Sequence, residues 1–248
     1  MDSQTIAVRQ QEEIAHHEHD HPAYLRHHFE TVEQQKEAAS FGMWLFLLTE
    51  IMFFGGLFMA YLLYRNWYHD AFVSASNTIG IGLGTTNTAV LIVSSFTMAM
   101  GVYCAEKRNR RGLLVSLALT LVLGLVFLGI KSVEYHEKYV EHHIPGAGFS
   151  IEDFVHPHDK RDIPLSPDVA QHAQIFFFLY FAMTGMHALH MIIGVSILLV
   201  LIYRARQGAY TTGHTSTIDN FGLYWHFVDI VWIFLFPLLY LISRHPLH

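Results

Sequence analysis

Residues 224–232 read Tyr-Trp-His-Phe-Val-Asp-Ile-Val-Trp. The stretch places an imidazole, His226, and a carboxyl group, Asp229, within an otherwise apolar segment that is long enough to cross a membrane. A bilayer core offers such groups no water, and leaving either one unpaired costs several kcal/mol. The sequence therefore predicts that both side chains have partners in the protein interior, at a site that serves function or assembly.

The composition is that of a membrane protein. Of the 248 residues, 52% are hydrophobic and only 15% are charged, which is too apolar for an ordinary soluble domain. The net charge of −6 argues against nucleic-acid binding. Cys104 is the one cysteine, so the chain cannot build a disulfide framework or a thiolate zinc site by itself. Residues 1–40 do not resemble a signal peptide, and we expect the first apolar helix to direct insertion.

Five apolar segments are long enough to span the bilayer as helices, since a span needs ~20 residues. They cover about 41–64, 83–105, 112–135, 174–203 and 221–243. The predicted fold is all-α, a polytopic integral membrane bundle of five transmembrane helices. Small residues at Gly55, Gly56, Gly185 and Gly194 are typical of close helix–helix approach within a membrane.

Lys and Arg in the short loops predict the orientation. Four of them, Lys107, Arg108, Arg110 and Arg111, follow the second span, and Arg204 and Arg206 follow the fourth. Both loops should be cytoplasmic, which places the N-terminus inside and the C-terminus outside. Residues 1–40 then form a polar, His-rich cytoplasmic tail, residues 41–248 the transmembrane domain, and residues 136–172 a long outer loop.

Polar groups recur at similar depth on three spans. With a rise of ~1.5 Å per residue, Glu50 lies ~14 Å, Asp229 ~12 Å and His226 ~8 Å from the cytoplasmic starts of their helices. His187 and His190 share one face near the middle of the fourth span. We expect Glu50 or Asp229 to pair with an imidazole inside the bundle. The alternative is that each group makes its own small hydrogen bond.

Lys131 and Glu134 are spaced i, i+3 at the outer end of the third span. Pairs of this kind near a membrane interface are mostly structural, and each stabilises its helix by about 0.2–0.5 kcal/mol. The sequence predicts no more than that for this pair.

Motifs on all five spans resemble subunit III of the haem-copper terminal oxidases. The motif on the first span is WLFLLTEIMFFGG at residues 44–56, and that on the fourth is TGMHALHMIIG at residues 184–194. The last span, from Tyr224 to Trp232, is similar to the family's last helix nearly residue for residue. The second and third spans fit through Asn87-Thr88, Ser94-Ser95, Leu123-Gly124, Phe127-Leu128 and Glu134-Tyr135. The resemblance runs from about residue 41 to 243.

The chain departs from the family pattern in three ways. It lacks the first two of the seven helices that many members carry, as five-helix bacterial members do. Lys131 occupies a position where the pattern leads us to expect Gln. The acidic, His-rich N-terminal tail has no counterpart that we can interpret.

The resemblance implies a subunit without haem or copper of its own. Such a subunit packs against the catalytic subunit I, with subunit II and a small subunit IV as further partners, in a bacterial cell membrane. It binds phospholipids in a cleft and sustains proton uptake during aerobic respiration. The resemblance further implies that haem and copper belong to the partner subunits of a proton-pumping oxidase, which we expect to be of the cytochrome c type.

The resemblance also makes Glu50 the family's carbodiimide-reactive carboxyl. Carbodiimides attack protonated carboxyl groups in apolar surroundings, so we expect Glu50 to be largely protonated and close to the lipid cleft. A second hypothesis is that Lys107, Arg108, Arg110 and Arg111 bind anionic lipid headgroups, at about 1 kcal/mol each. Their alternative role is simply to set the orientation of the spans.

Nineteen histidines raise the question of a metal site. Clustered imidazoles at His16, His17, His19 and His21 could chelate a divalent ion, but we expect that tail to lack a fixed scaffold. On the outer loop, a solvated surface or contact with a neighbouring subunit is favoured over a cofactor for His136, His142, His143, His156 and His158. We therefore expect no metal in this chain.

Other function classes remain as alternatives. The chain could be subunit III of a quinol oxidase, because the site of the electron donor lies in other subunits. It could be a proton-coupled transporter that uses Glu50, Asp229 and the buried imidazoles, but it lacks the internal repeat of that class. A di-iron enzyme would need Glu-x-x-His pairs on two helices, and no span contains one.

Overall fold

The computed structural model describes residues 29, 31–146, 148–156, 164–210 and 216–241. The described residues form eight helices and no strand. In chain order these are α1 Val32–Trp67, α2 His69–Asn77, α3 Ile81–Glu106, α4 Arg110–Val140, α5 Glu152–Val155, α6 Pro167–Ala170, α7 Ala173–Arg206 and α8 Ser216–Tyr240. Five stretches are long and apolar enough to cross a membrane, namely α1, α3, α4, α8 and the stretch from Pro167 to Arg206 that contains α7. The prediction of an all-α, five-span membrane protein is confirmed.

The chain divides into two compact units, residues 1–44 and 45–248. In the first unit, the described part is chiefly the beginning of α1. The Thr31 hydroxyl accepts a hydrogen bond from the Gln34 backbone amide and so caps the first turn. The helix thus begins at Val32, inside the stretch that the sequence assigned to the polar tail. Residues 32–40 are rich in Glu, Gln, Lys and Ala, which favour a helix without any need for burial.

Four spans of the second unit form a closed arrangement. Helix α3 packs against α4 and α8, and α7 packs against the same two helices. Trp225 of α8 fills the space between them. Its indole N–H donates to Ser94 Oγ at 3.1 Å, and its ring lies against Gly124 of α4 and Gly194 of α7. A side chain on either glycine would occupy the space of this ring, so the prediction of close approach at Gly194 is confirmed.

The part of α1 in this unit packs through large side chains alone. Its buried residues are Leu47, Phe54 and Tyr61, each seven apart, so one narrow stripe faces the other helices. The Tyr61 hydroxyl donates to the carbonyl of Leu238 at 2.7 Å. The opposite face of α1 exposes large apolar side chains, and Gly55 and Gly56 lie in open space. The prediction of close approach at these two glycines is wrong for contacts within this chain, because the stripe faces away from them.

The two ends of the bundle differ in the segments that they carry. The connector end carries residues 68–80, 141–146, 148–156 and 164–172, and the basic end carries residues 107–111. Helix α4 extends to Val140, five residues beyond the predicted span, and its last two turns lie at the connector end.

Candidate functional site

Glu50 of α1 and His190 of α7 form a pair across two helices. Glu50 Oε2 lies 3.1 Å from His190 Nε2, and the side chains are 19% and 10% exposed. Phe54 packs against the His190 ring at 5.5 Å, one turn along α1. The Tyr224 hydroxyl donates to the His190 carbonyl at 2.8 Å. The carboxyl group is therefore fixed at the edge of the bundle, between buried aromatic rings and the apolar outer surface of α1.

The hydrogen bonds of His190 determine where its protons are. Nδ1 lies 2.8 Å from the carbonyl oxygen of Met186, which can only accept, so Nδ1 carries hydrogen. One proton then remains to be shared between Nε2 and Glu50 Oε2. Whichever atom holds it, the pair has no net charge, which suits a group at membrane depth.

Asp229 and His226 lie elsewhere, on the side of the bundle formed by α3 and α8. The Ser95 hydroxyl and His226 Nδ1 are 2.6 Å apart. Asp229 is 2% exposed and lies beside Ser95 without a hydrogen bond of normal geometry. These three residues line a groove of about 440 Å³. The structure thus brings Glu50 to His190, but it gives Asp229 no comparable partner.

His187 lies between aromatic rings in the interior. It is 1% exposed, with Phe127 at 5.3 Å and Trp232 at 5.1 Å between ring centroids. Neither ring nitrogen makes a hydrogen bond with any described residue. His187 and His190 share a helix face, as expected, but only His190 reaches a carboxyl group.

A buried polar cluster that the sequence did not predict lies near the connector end. The side chains of Lys131 and Glu134 are only 3% and 1% exposed. The sequence predicted a weak pair near the membrane interface, and this is wrong because the pair is buried in the protein interior. The ammonium group of Lys131 donates to Glu134 Oε2 at 3.0 Å and to the hydroxyls of Tyr180 and Tyr240 at 3.1 Å each. Both tyrosines donate to Glu134 Oε1, at 2.7 and 2.5 Å. We call these four residues the lysine cluster; it joins α4, α7 and α8.

Periodicity along α4 alone cannot reveal the lysine cluster. The i, i+3 spacing shows that Lys131 and Glu134 share a face but not which face it is. The available signal was the pair of tyrosines near the same end of two other spans, since a buried phenol needs a polar partner.

His143 is buried beyond the end of α4, and the expectation of a solvated surface is wrong for this residue. Its side chain is 1% exposed, stacks on Phe177 at 5.0 Å, and has Glu141 and Asp153 oxygens each 3.2 Å from a ring nitrogen. Burial lowers the pKa of His143 below 6.5; nearby Lys138 acts in the same direction, and Glu141 and Asp153 oppose it. Lys138 donates to the Thr78 carbonyl at 2.6 Å. Three segments of the connector end are thus tied together.

The other histidines of the predicted outer loop do not share this position. His136, His142 and His156 are not buried in this way, as expected. His158 and the tail histidines His16, His17, His19 and His21 lie outside the described residues. Within the described ranges, no three His, Cys, Asp or Glu side chains come together in a way that could hold a metal ion.

The four cations of the basic end differ in their contacts. Arg110 donates to the carbonyls of Ala205 at 3.3 Å and of Arg206, at the C-terminus of α7. Such carbonyls have no partner within their own helix and carry partial negative charge, so a guanidinium group stabilises them. Lys107 lies over the Tyr103 ring at 5.7 Å. Arg108 and Arg111 are exposed.

Comparison with known proteins places these features in one family. The family described as "Cytochrome c oxidase subunit III" matches residues 19–156 and 169–244. A cytochrome c oxidase subunit 3 from Thermostichus vulcanus is 32% identical over 204 residues, which cover 82% of this chain and 87% of the relative. One from Struthio camelus is 30% identical over 223 residues, 86% of this chain and 72% of the relative.

A relative from Alkalihalophilus pseudofirmus, also named cytochrome c oxidase subunit 3, is 29% identical over 202 residues. That match covers 82% of this chain and 85% of the relative. The matched ranges cover the five helices α1, α3, α4, α7 and α8 that form the spans. This chain belongs to the cytochrome c oxidase subunit III family.

Proposed function

We propose that this chain is a non-catalytic subunit of a proton-pumping cytochrome c oxidase, in which it supports proton uptake. The chemistry of oxygen and the redox centres belong to the partner subunits I and II, with a small subunit IV as a further partner. We assign the complex to the cytochrome c type rather than the quinol type because the relatives carry that name.

The Glu50–His190 pair is the observation that carries this proposal. A net-neutral pair at the edge of the bundle holds one proton at a depth where water is scarce. The exposed fraction of Glu50, 19%, leaves the carboxyl group accessible from the outer surface of α1. A carboxyl group so placed can exchange a proton with a neighbouring subunit or with water at their boundary, while His190 keeps it oriented.

Phospholipid binding is the second part of the proposal. The outer face of α1 is covered by exposed apolar side chains such as Ile51, Met52 and Phe53, which suit acyl chains. At the basic end, the exposed Arg108 and Arg111 can attract anionic headgroups, at about 1 kcal/mol each. Arg110 is already engaged with α7, so we assign its role to the fold.

The test is purification of the intact complex from its own membrane, with and without this chain. We expect the chain to co-purify with haem-bearing subunits. A complex from which it has been removed should keep its haem spectrum but take up protons more slowly during turnover and lose activity sooner. Purification of the chain without any haem-bearing partner would contradict the assignment.

The lipid assignment has its own test. In the same complex, Arg108→Gln combined with Arg111→Gln should release anionic phospholipid, as measured by native mass spectrometry. Arg204→Gln, at an exposed cation in the last turn of α7, is the matched control, and retention of lipid in both variants would leave the cations with a purely orienting role.

A further inference from the structure

A groove lies between α3 and α8 on the surface that faces away from the bundle, about midway along both helices. Helix α3 contributes Ile92, Ser95, Phe96 and Ala99, and α8 contributes His226, Asp229, Ile230 and Ile233. Each set is spaced i, i+3, i+4, i+7, so the two helices present parallel ridges with a depression between them. The rim is apolar and about half exposed, with Phe96 at 65% and Ile230 at 50%. The polar groups lie at the floor.

Asp229 is the part of the groove that lacks a partner. Its side chain is almost fully buried, yet neither carboxyl oxygen makes a hydrogen bond of normal geometry with the described residues. Ser95 lies beside Asp229 and has a single hydroxyl hydrogen, so at least one of the two carboxyl oxygens is left without a donor among the described residues. A buried carboxyl group without a donor costs free energy that a donor from outside would recover.

Depth excludes a lipid headgroup as that donor. Asp229 is thirteen residues from Ser216 and eleven from Tyr240, which places it ~20 Å and ~17 Å from the two ends of α8. Headgroups lie beyond the hydrocarbon core, and acyl chains carry no hydrogen-bond donor. A polar side chain on a transmembrane helix can reach this depth, because the helix satisfies its own backbone.

A second copy of this chain is disfavoured because its exposed tyrosines, Tyr64, Tyr103, Tyr139 and Tyr203, lie near the helix ends and the exposed serine and threonine hydroxyls of α1, α4 and α7 are engaged. Thr49, Ser132 and Ser196 are exposed on α1, α4 and α7, and each donates to a carbonyl of its own helix, at 2.6, 2.8 and 2.8 Å. These are not free donors that would seek an acceptor in another copy.

We propose that the groove docks a transmembrane helix of a partner oxidase subunit, and that a polar side chain of this helix donates a hydrogen bond to Asp229. The inference rests on the proposed function, since it requires a partner in the membrane. The ridges supply packing, the apolar rim excludes water, and Asp229 supplies specificity, because a helix without a donor at this level leaves the carboxyl group unpaired.

A photoreactive amino acid at position 230 tests the occupant in the assembled complex within its membrane. Val122, 55% exposed on α4, is the matched control position against Ile230, 50% exposed. We expect position 230 to cross-link to a helix of a haem-bearing subunit. Cross-links from position 230 only to lipid, or to a second copy of this chain, would overturn the proposal. A cross-link to the partner from position 122 alone would place the interface on another face and overturn it as well.

Asp229→Leu tests the hydrogen bond. We expect this variant to dissociate from the complex in detergent at least about tenfold faster than wild type. Asp229→Asn keeps a hydrogen-bond acceptor, so it should dissociate more slowly than Asp229→Leu. The full-length Asp229→Leu chain by itself should melt no lower than the wild-type chain, since the substitution removes a buried carboxyl group that makes no hydrogen bond of normal geometry. Unchanged dissociation, or unfolding of the free chain, would overturn the proposal. Co-purification of wild type with haem tests the proposed function independently.

Discussion

Glu50 and Lys131 show two ways in which this protein accommodates charge inside a membrane. Glu50 is hydrogen-bonded to the His190 imidazole and lies at the edge of the bundle, where its side chain is 19% exposed. Lys131 is surrounded by a carboxylate, two phenols and the faces of four aromatic rings at 5.0–5.8 Å. The first arrangement rests on one hydrogen bond between two helices, whereas the second satisfies all three ammonium hydrogens and is suited to holding helices together.

Labelling by a hydrophobic carbodiimide should report the protonated state of Glu50. We expect wild type to be labelled and Glu50→Gln not to be, because the reagent needs a carboxylic acid in apolar surroundings. His190→Phe should still be labelled, since the proton then has no imidazole to share it. Mass spectrometry of peptides from the labelled complex gives the site. Labelling that persists elsewhere in Glu50→Gln would contradict the assignment.

Removal of the Lys131 ammonium group should destabilise the chain strongly. Lys131→Met leaves Glu134 buried without its counter-ion, and breaking a buried ion pair costs about 3–5 kcal/mol. The double variant Lys131→Met/Glu134→Gln should recover part of this loss. Denaturant unfolding in detergent measures it, with Lys107→Met at the exposed basic end as the control. A loss below about 1 kcal/mol would instead support the weak pair that the sequence predicted.

The packing of whole helices depends on Trp225 and the two glycines that flank it. A Cβ on Gly194 would lie 3.0 Å from Trp225 Cζ3, and one on Gly124 would lie 3.0 Å from Cη2 of the same ring. The indole is thus held from both sides and is anchored to Ser94. Helices α4, α7 and α8 therefore approach each other at a distance that one aromatic ring sets.

Gly194→Ala should destabilise the bundle by about 1–3 kcal/mol, because the added Cβ would lie 3.0 Å from the Trp225 ring, which Gly124 holds from the other side. Gly129→Ala is the matched control, since nothing lies within 4 Å of its Cβ position. That variant should be neutral or stabilising by about 0.5–1 kcal/mol, through the better helix propensity of Ala. Thermal unfolding in detergent distinguishes the two. Equal effects at both positions would show that Trp225 can adjust.

The connector end should lose stability as the pH falls. The pKa of His143 in the folded chain is below its usual value of 6.5, so the unfolded state binds a proton that the folded state resists. Stability should therefore be complete above about pH 6.5 and decrease below it, by at most about 1.4 kcal/mol per pH unit. The rate of proteolysis within the segment 141–156 measures this loss. It should be compared at about pH 7.5 and about pH 5.5, which lie on either side of the ordinary histidine pKa of about 6.5.

The matched variants are His143→Gln, which should abolish this pH dependence, and His136→Gln, which removes an imidazole that is not buried and should leave it intact. A stability that rises on acidification would show that Glu141 and Asp153 outweigh burial.

For the molecule as a whole, the distribution of cations predicts how it lies in the membrane. Lys107, Arg108, Arg110 and Arg111 are grouped at the basic end of the bundle, and residues 141–146 and 148–156 lie at the connector end. The excess of cations in short loops favours the basic end in the cytoplasm. We expect the N-terminus on the same side as the basic end and the C-terminus on the outside.

Cysteine labelling tests this orientation. In a Cys104→Ala background, Glu152→Cys should react with a membrane-impermeant maleimide in spheroplasts, whose cell membrane is still sealed. Lys107→Cys should react only after lysis. Both positions are exposed, so accessibility is matched. The reverse pattern would contradict the predicted orientation.

Sequence alone was sufficient for the number of spans, the helical class and the family, and the depth of each polar residue stays a prediction. The spans and depths follow from apolar length and from a rise of ~1.5 Å per residue along the helix. Depth does not say in which direction a side chain faces. Glu50 and Asp229 have similar depths, yet one meets His190 and the other lines a groove on a different side.

Only the tertiary structure decided which groups meet. The Leu47–Phe54–Tyr61 stripe turns Glu50 towards α7, and the ring of Trp225 sets the spacing of the helices around it. The same packing buries Lys131 among tyrosines of two other spans. The physical reason is that helical periodicity relates residues on one helix, whereas the rotation of each helix about its axis is set by the side chains that fill the space between helices.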